Sequence, residues 1–355
     1  MNVNVALLSI KELEIRGQGI PRYINELYDK ARKLGYNSGI DIEKVYLNHY
    51  YKTIGDALSF ELDYILYKKN LEKYDIIHLP NGFFMTHRLP KNKKYLVTIH
   101  DAKPIPVQTN NLNYLIKDKL WRYIALKRGI ENNIKLADKI IVDSTQTKEE
   151  VTELGKDKKD IVVINLGVDK RFREERITNN KKSFVVGYMG SFATNKNVRF
   201  AIKSFKFLEG KMKFELWGEK TYNYKSLFNS ATADKRIIFK GFAPENEIVN
   251  IYDSFDIFVF PTLYEGFGIP IFEAQSRSLP VIVYKYGKIP KEVKKYCFEA
   301  KDPEHMAQII TNLKENGYND KLKKKATEYA RSFTWEKTAK ETIAVYEKVY
   351  ERSFN

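Results

Sequence analysis

The sequence predicts an α/β protein made of two doubly wound parallel-sheet domains. Short apolar runs of strand length alternate with amphipathic runs of helix length along most of the chain, the pattern of parallel sheets covered by helices on both faces. One charged, asparagine-rich segment without periodicity, Lys170 to Ser183, interrupts this alternation and is interpreted as an interdomain linker. At 355 residues, the chain is long enough for two hydrophobic cores.

The first half of the chain contains five apolar segments of strand length and four helical segments. Strands are predicted at Val3–Ile10, Asp75–Leu79, Tyr95–Ile99, Lys139–Val142 and Ile161–Asn165. Helices are predicted at Ile20–Leu34, Ile54–Leu71, Asn113–Ala137 and Thr147–Leu154. Thr147 and Glu150 have the spacing of a capping box, which predicts that the last helix starts there. These elements predict a first domain over residues 1–170.

The second half repeats the pattern after the linker. Strands are predicted at Phe184–Met189, Phe214–Trp217, Arg236–Phe239, Ile257–Phe260 and Val281–Tyr284, with helices between them. These elements predict a second domain over residues 171–334. In doubly wound sheets, ligands bind at the carboxyl ends of the strands, and two facing domains predict a site in the cleft between them.

The chain continues with a helical stripe. The segment Trp335–Tyr350 has apolar residues at positions 335, 339, 343, 346 and 349, which predicts one amphipathic helix. Residues 335–355 are therefore expected to form a separate terminal element.

The composition narrows the class of protein. The formal net charge of +16 would attract anionic ligands, but by itself it slightly favours a lysine-rich solubility bias. The single cysteine, Cys297, precludes an internal disulfide and fits a reducing compartment. The sequence contains no run of about 18 apolar residues, the length that a membrane span requires. The first ten residues resemble a strand rather than a signal peptide. The predicted location is the cytoplasm.

The most informative motif is the segment from Thr262 to Tyr284. It contains two carboxylates, Glu265 and Glu273, and a glycine-rich turn between two apolar strands. Glycines at the turn allow backbone N–H groups to approach a ligand, and a helix N-terminus attracts phosphate or sugar oxygens. Carboxylates accept strong hydrogen bonds from vicinal hydroxyls. The motif predicts a donor-binding cradle for a phosphorylated, hydroxyl-rich ligand, formed by Glu265, Gly266, Phe267, Gly268, Ile269 and Glu273.

A second motif follows the strand Phe184–Met189. Gly190 ends that strand, Ser191 comes next, and Lys196 lies near the start of the following helix. A cation in this position can meet the phosphates of a bound ligand. The sequence therefore predicts that all three residues bind the same phosphorylated ligand as the first motif.

Two motifs in the first half lie at predicted strand ends or turns. His100 and Asp101 follow the strand Tyr95–Ile99, where an imidazole can donate to a hydroxyl. Gly17 and Gly19 lie between the first strand and the first helix, followed by Arg22. These glycines alone are a weak phosphate-binding signal, and an ordinary turn explains them too.

Together, these motifs resemble the donor-site signature of retaining glycosyltransferases of family 4 (glycosyl transferases group 1). That family has the GT-B fold, in which two Rossmann-like domains face a central cleft and the terminal helix crosses back to the first domain. The resemblance implies transfer of a sugar from a nucleotide-sugar, such as a UDP- or GDP-sugar, to a hydroxyl acceptor on a glycan, lipid or small molecule. No metal or other cofactor is expected, because helix N-termini and Lys196 neutralise the phosphates.

The resemblance also implies roles for individual residues. Three residues are expected to be catalytic: Glu265 beside the donor sugar, His100 near the transferred sugar, and Lys196 at the diphosphate, whose charge grows as the sugar leaves. Gly190, Ser191 and Lys196 are expected to bind the donor, and Glu273 is expected at the nucleotide ribose. Gly19 is expected near the donor phosphates, and Asp101 and Arg22 on the acceptor side. Ser191 departs from the pattern, since many relatives have Arg there. Lys291 in Ile289-Pro290-Lys291-Glu292-Val293 is an insertion relative to the family motif.

Several alternatives remain open at this stage. A GT-B sugar-nucleotide epimerase shares the fold and needs no acceptor, and a glycosidase needs two carboxylates facing each other across one bond. A nucleic-acid binder is suggested by charge alone, and no nucleic-acid-binding motif supports it. The basic amphipathic helix Asn113–Ala137 either contacts the inner face of an anionic membrane or packs one face on its own sheet.

Overall fold

The fold is described from a computed structural model that covers residues 3–10, 19–47, 70–82, 90, 92–102, 120–176, 183–221 and 224–351. These residues separate into two compact units. The first unit contains the described residues up to Gly167 together with Trp335–Glu351, and the second contains Val168–Thr334. Each unit is built around one parallel sheet.

The elements alternate as expected for doubly wound sheets. The strands are β1 (Val3–Ile10), β2 (Ile40–Leu47), β3 (Ile76–Leu79), β4 (Lys94–Ile99), β5 (Lys139–Val142), β6 (Ile161–Val163), β7 (Phe184–Met189), β8 (Met212–Trp217), β9 (Ile237–Gly241), β10 (Ile257–Phe260), β11 (Val281–Tyr284) and β12 (Phe298–Ala300). The α-helices are α1 (Ile20–Asn37), α2 (Leu120–Leu136), α3 (Thr145–Glu153), α4 (Val198–Ser204), α5 (Tyr224–Ala231), α6 (Ile248–Ser254), α7 (Ile269–Ser276), α8 (Lys291–Lys294), α9 (Pro303–Asn316), α10 (Asp320–Arg331) and α11 (Trp335–Glu351).

The first unit has the strand order β2-β1-β3-β4-β5-β6, and every neighbouring pair is parallel. Strands β3 and β5 are buried at every position, as expected when helices cover both faces of a sheet. The terminal helix α11 belongs to this unit, where the His78 ring of β3 meets its Tyr346.

The second unit has the order β12-β11-β10-β7-β8-β9, again parallel throughout. The chain moves from β7 through β8 to β9, then returns to the other side of β7 for β10. This makes the gap between β7 and β10 the topological switch point, where open α/β sheets bind ligands. Gly187 makes the packing under β7 feasible, because a Cβ there would lie 2.2 Å from the Phe255 ring.

The predicted central strands agree closely with those in the structure. All ten predicted strands are present, and five of them have the predicted bounds: Val3–Ile10, Lys139–Val142, Phe184–Met189, Ile257–Phe260 and Val281–Tyr284. The outer strands β2 and β12 are not among the predicted strands. Most of the helix predicted at Ile54–Leu71 lies outside the described residues.

One local prediction needs correction. Helix α3 begins at Thr145 rather than Thr147, because Ser144 is its N-cap and accepts a hydrogen bond from the Thr147 amide.

The predicted linker, Lys170 to Ser183, contains a short element at its start. Residues Lys170–Arg173 form a 3-10 helix in which Phe172 is buried. Residues 177–182 of the linker lie outside the described residues.

Helix α2 supports one of the two interpretations of the basic helix. Within its described side chains, Ile130 and Ile134 are buried in the core of the first unit, whereas Lys127 and Arg128 are exposed. This is the arrangement of a helix that packs one face on its own sheet. Among the described helices, none combines the length and apolar character that crossing a bilayer requires.

Candidate active site

The turn after β7 carries the predicted catalytic lysine. Residues Thr194–Lys196 form one turn of 3-10 helix, and Asn197 adopts a left-handed conformation (φ 51°) before α4 begins. Asn195 is buried, whereas Lys196 is only partly so. The turn therefore points one polar side chain inward and leaves the lysine at the strand end.

The loop after β10 is fastened to this turn by its backbone. The Leu263 amide donates to the Asn195 carbonyl at 2.7 Å, and the Thr262 hydroxyl donates to the same oxygen at 3.0 Å. Farther along, the Glu265 amide donates to the Lys288 carbonyl at 2.9 Å. The two loops therefore form one hydrogen-bonded layer over the switch point.

The two predicted catalytic side chains of this unit meet in that layer. Lys196 Nζ lies 2.6 Å from Glu265 Oε1, and the ammonium also lies over the Phe260 ring. Their side chains are 20% and 11% exposed, so the pair is accessible at one edge. Burial, followed by the charge of Glu265, raises the pKa of the nearby Tyr188 well above its ordinary value. That phenol is therefore neutral, and its OH donates to the Ser191 carbonyl at 2.7 Å.

Glycines set the shape of this layer. A Cβ on Gly218, at the end of β8, would lie 1.8 Å from the Gly190 carbonyl oxygen, so the strand ends approach this closely only with glycine. The Gly190 amide donates to the Trp217 carbonyl at 3.0 Å. Gly218 is a residue that the sequence analysis missed, and its signal was a glycine directly after a predicted strand.

Helix α7 starts beside the ion pair. Gly268 is its N-cap, with φ 97°, and no side chain caps the helix. A Cβ on Gly268 would lie in ordinary contact, 3.6 Å, with Glu265 Cγ, which shows how closely the carboxylate approaches the helix start. Phe267 faces inward against Phe272 and Phe333, so its ring is part of the core. Gly266 is buried and Ile269 partly buried.

The second carboxylate of the motif is deeper than the first. Glu273 is 3% exposed, and its Oε2 accepts a hydrogen bond from the Tyr252 hydroxyl at 2.9 Å. A carboxylate in a protein interior needs such donors, because burial of an unpaired charge is strongly unfavourable. The sequence predicts Glu273 as a donor-binding residue but contains no local signal for its partner on α6.

His100, predicted to be catalytic, contacts side chains and backbone of its own unit on several sides. His100 Nδ1 lies 2.6 Å from Asp143 Oδ2, and Nε2 lies 3.0 Å from the Pro80 carbonyl. The Tyr23 ring packs edge-on against the imidazole at 4.7 Å. The carboxylate in contact is Asp143, at the end of the neighbouring strand β5, rather than the adjacent Asp101.

The remaining predicted residues lie at the start of α1. Gly19 is its N-cap, with φ 67°, and is exposed, so the positive φ favours glycine here. Arg22 is partly buried in the first helical turn. Gly17 lies outside the described residues. No cluster of three or more potential metal ligands occurs in the part of the chain that the structure describes.

Two family models match the chain in succession. Residues 19–172 match the model for Glycosyltransferase Family 4, and residues 169–333 match the model for Glycosyl transferases group 1. The O-antigen chain mannosyltransferase B of Escherichia coli is 25% identical over 294 residues, which cover 76% of this chain and 74% of that protein. The capsular polysaccharide biosynthesis glycosyltransferase CapM of Staphylococcus aureus is 25% identical over 268 residues, covering 66% and 68%.

Solved structures with the same fold extend over nearly the whole chain. Sucrose-phosphate synthase from Thermosynechococcus elongatus has a TM-score of 0.74 at 16% identity, covering 99% of this chain and 100% of that one. WaaG, a glycosyltransferase involved in lipopolysaccharide biosynthesis, has a TM-score of 0.72 at 13% identity, covering 96% and 99%. The Anabaena protein HepE, crystallised with UDP and glucose, has a TM-score of 0.69 at 14% identity, covering 98% and 100%.

Proposed function

We propose that this chain, a glycosyltransferase with the GT-B fold, transfers a sugar from a nucleotide-sugar to a hydroxyl acceptor with retention at the anomeric carbon. One observation carries the proposal. The Lys196–Glu265 ion pair lies at the switch point of the second sheet, beside the uncapped N-terminus of α7. A cation, a carboxylate and a helix N-terminus without a side-chain cap, all in one layer, suit a ligand that has both phosphates and hydroxyls.

Lys196 is proposed to stabilise the leaving nucleoside diphosphate. When the bond between the anomeric carbon and the β-phosphate oxygen breaks, negative charge accumulates on that phosphate. A preorganised ammonium acts most strongly where charge develops, so it favours the transition state over the bound donor. Gly190, Ser191 and the amides at the start of α7 are proposed to hold the diphosphate in reach of the ammonium.

Glu265 is proposed to bind the donor sugar. Its carboxylate, 11% exposed, can exchange the Lys196 ammonium for sugar hydroxyls, which donate to it in turn. Glu273 is proposed to accept hydrogen bonds from the nucleotide ribose. An ionised carboxylate has about four acceptor positions, so the Tyr252 hydrogen bond leaves capacity for a ribose hydroxyl.

The proposed reaction needs no separate nucleophile. The acceptor oxygen attacks the anomeric carbon on the face from which the diphosphate departs, and its proton passes to a phosphate oxygen of the leaving group. Breaking the bond to phosphate and forming the bond to the acceptor on one face retains the configuration. Glycosidase chemistry fits less well, because it needs two carboxylates that reach one glycosidic bond, whereas Glu273 is buried and hydrogen-bonded to Tyr252.

The acceptor is proposed to belong to glycan assembly. The Escherichia coli and Staphylococcus aureus relatives are a mannosyltransferase of the O-antigen chain and an enzyme of capsular polysaccharide biosynthesis. HepE was crystallised with UDP-glucose, which supports a UDP-sugar among the donors to test. A cytoplasmic enzyme that contacts the inner membrane face through its basic surface fits this proposal, with the net charge of +16 as its support.

The test is a donor screen followed by product analysis. Thermal unfolding is measured with a panel of UDP- and GDP-sugars, because a ligand at 100 times its Kd stabilises by about 2.7 kcal/mol. The stabilising donor is then incubated with oligosaccharide acceptors, with and without EDTA, and the anomeric configuration of the product is read by NMR. Inversion would contradict the retaining mechanism, and an altered nucleotide-sugar formed without acceptor would identify an epimerase.

A further inference from the structure

The contacts of His100 require more protons than a neutral imidazole has. Its two ring nitrogens face the Asp143 carboxylate at 2.6 Å and the Pro80 carbonyl at 3.0 Å. A carbonyl oxygen only accepts, and so does an ionised carboxylate. A neutral imidazole carries one N–H, so one contact would bring two lone pairs together. The doubly protonated ring satisfies both contacts at once.

The burial of Asp143 points in the same direction. Its side chain is 2% exposed, and its second oxygen, Oδ1, is buried without a hydrogen-bond partner among the described residues. A carboxylate in this setting is unfavourable without a compensating charge. His100 is in direct contact with it, and as an imidazolium it supplies that charge.

We propose that Asp143 is a positioning residue that keeps His100 as an imidazolium, and that this cation ties together the carboxyl ends of β3, β4 and β5. Pro80 follows β3, His100 follows β4 and Asp143 follows β5, so the three partners come from three neighbouring strands. His100 then holds the strand ends of the first unit in place. The catalytic consequence, that His100 does not act as a base in sugar transfer, rests on the proposed function.

The charges around the ring are consistent with this state. Burial lowers the pKa of His100, but the charge and hydrogen bond of Asp143, followed by the charge of Asp101 and the Pro80 carbonyl, outweigh it, so the pKa is raised. Tyr23, on α1, contributes a neutral ring edge. His78, on β3, is buried, and burial together with the charge of His100 lowers its pKa to about 3. His78 therefore stays neutral, which avoids two like charges in one core.

The primary experiment is NMR of the full-length protein labelled in histidine. Long-range proton–nitrogen spectra at pH 7 are expected to show both nitrogens of His100 protonated, and a His100→Gln spectrum assigns the signal. In Asp143→Asn, the pKa of His100 is expected to fall by about 1 to 3 units, the range for loss of a neighbouring opposite charge. His78 is the internal control, because it should remain neutral at pH 7 in both proteins.

The functional readout is the pH dependence of turnover with the donor from the screen. Asp143→Asn is expected to lose more activity at pH 8 than at pH 6, because acid restores the proton on His100. The wild type should show similar turnover at both pH values, and Asp143→Glu, which keeps a carboxylate, should restore this behaviour in part. A neutral His100 in the wild-type spectrum at pH 7 overturns the inference without any variant, and so does an equal activity loss at both pH values. The spectrum needs no substrate, so this failure is distinct from failure of the glycosyltransferase proposal.

Discussion

Lys196 and Glu265 neutralise each other across the switch point of the second sheet, with Nζ and Oε1 at 2.6 Å. They are 69 residues apart in sequence, and they meet because β7 and β10 are neighbours. In the proposed function both groups face the donor, the ammonium toward its diphosphate and the carboxylate toward its sugar. Binding of a nucleotide-sugar therefore exchanges an internal ion pair for two contacts with the ligand.

Replacing Glu265 with Gln should affect nucleotide binding and sugar transfer in different ways. We expect affinity for UDP or GDP alone to stay equal or to rise by roughly two- to fivefold, because Lys196 no longer has to leave Glu265 and the pair, which keeps an edge in solvent, contributes about 1 kcal/mol. Sugar transfer should fall strongly, because Gln binds hydroxyls without charge assistance. Calorimetry with the free nucleotide and a turnover assay measure both effects. A parallel loss of nucleotide affinity would mean that Glu265 does not compete with phosphate for Lys196.

Replacing Lys196 with Met should reduce turnover more than donor binding. Loss of one group that stabilises developing charge reduces kcat by about 100- to 1,000-fold. Comparison of kcat with donor Kd shows whether the effect lies in the transition state. Lys203→Met, an exposed lysine on α4, is the matched control and should behave like the wild type. Unchanged turnover in Lys196→Met would remove this residue from the mechanism.

Replacing Glu273 with Ala should weaken donor binding by about 1.5 to 3 kcal/mol, the range for hydrogen bonds to a charged group. The matched variant is Tyr252→Phe, which keeps the carboxylate and removes only its buried hydroxyl partner. It should lower the free energy of unfolding with a smaller effect on the donor Kd. If both variants lose donor affinity equally, then Glu273 acts by supporting the helix rather than by contacting ribose.

Replacing Arg277 with Leu should destabilise the second unit. Arg277 forms a bidentate pair with Asp253, at 2.7 and 2.6 Å, and also donates to the carbonyls of Glu174 and Glu175. Breaking a buried pair leaves one charge uncompensated, which costs about 3 to 5 kcal/mol. Urea unfolding measures the loss. Arg199→Leu removes an exposed arginine and should change stability little; a small effect at both positions would contradict the buried-pair interpretation.

His78 should make the protein sensitive to acid. Its folded-state pKa of about 3 lies below the unfolded value near 6.5, so the unfolded chain binds the proton first as the pH falls. Stability is therefore lost between about pH 6.5 and pH 3, and the loss from pH 7 to pH 5 is about 2 kcal/mol.

Comparison with His78→Gln isolates this effect from other acid groups. The stability difference between the wild type and the variant should shrink by that amount between pH 7 and pH 5, as measured by urea unfolding. A difference that does not change with pH would show that folding does not shift the pKa of His78, which contradicts the prediction. Its contacts to Tyr346 and Thr98 are common to both pH values and do not account for a change.

The central strands and the glycine-rich turns were predictable because their signals are local. Hydrophobic runs such as β5 and β10 are buried along their whole length, so composition alone identifies them. The edge strand β2 was missed, although Ile40 and Ile42 alternate with Asp41 and Glu43, because a half-polar strand needs its neighbour to define it. Helix α3 begins two residues before its predicted start, because Ser144 rather than Thr147 is its N-cap.

Local sequence patterns were sufficient to predict two doubly wound sheets, the turns that carry Lys196 and Glu265, and the glycines in those turns. The pairing of buried side chains became visible in the folded chain alone: His100 with Asp143, Glu273 with Tyr252, and His78 with Tyr346, which is 268 residues away. Strand and turn signals depend on neighbouring residues in the chain. The partners of buried polar groups depend on strand order and helix packing, which no local pattern records.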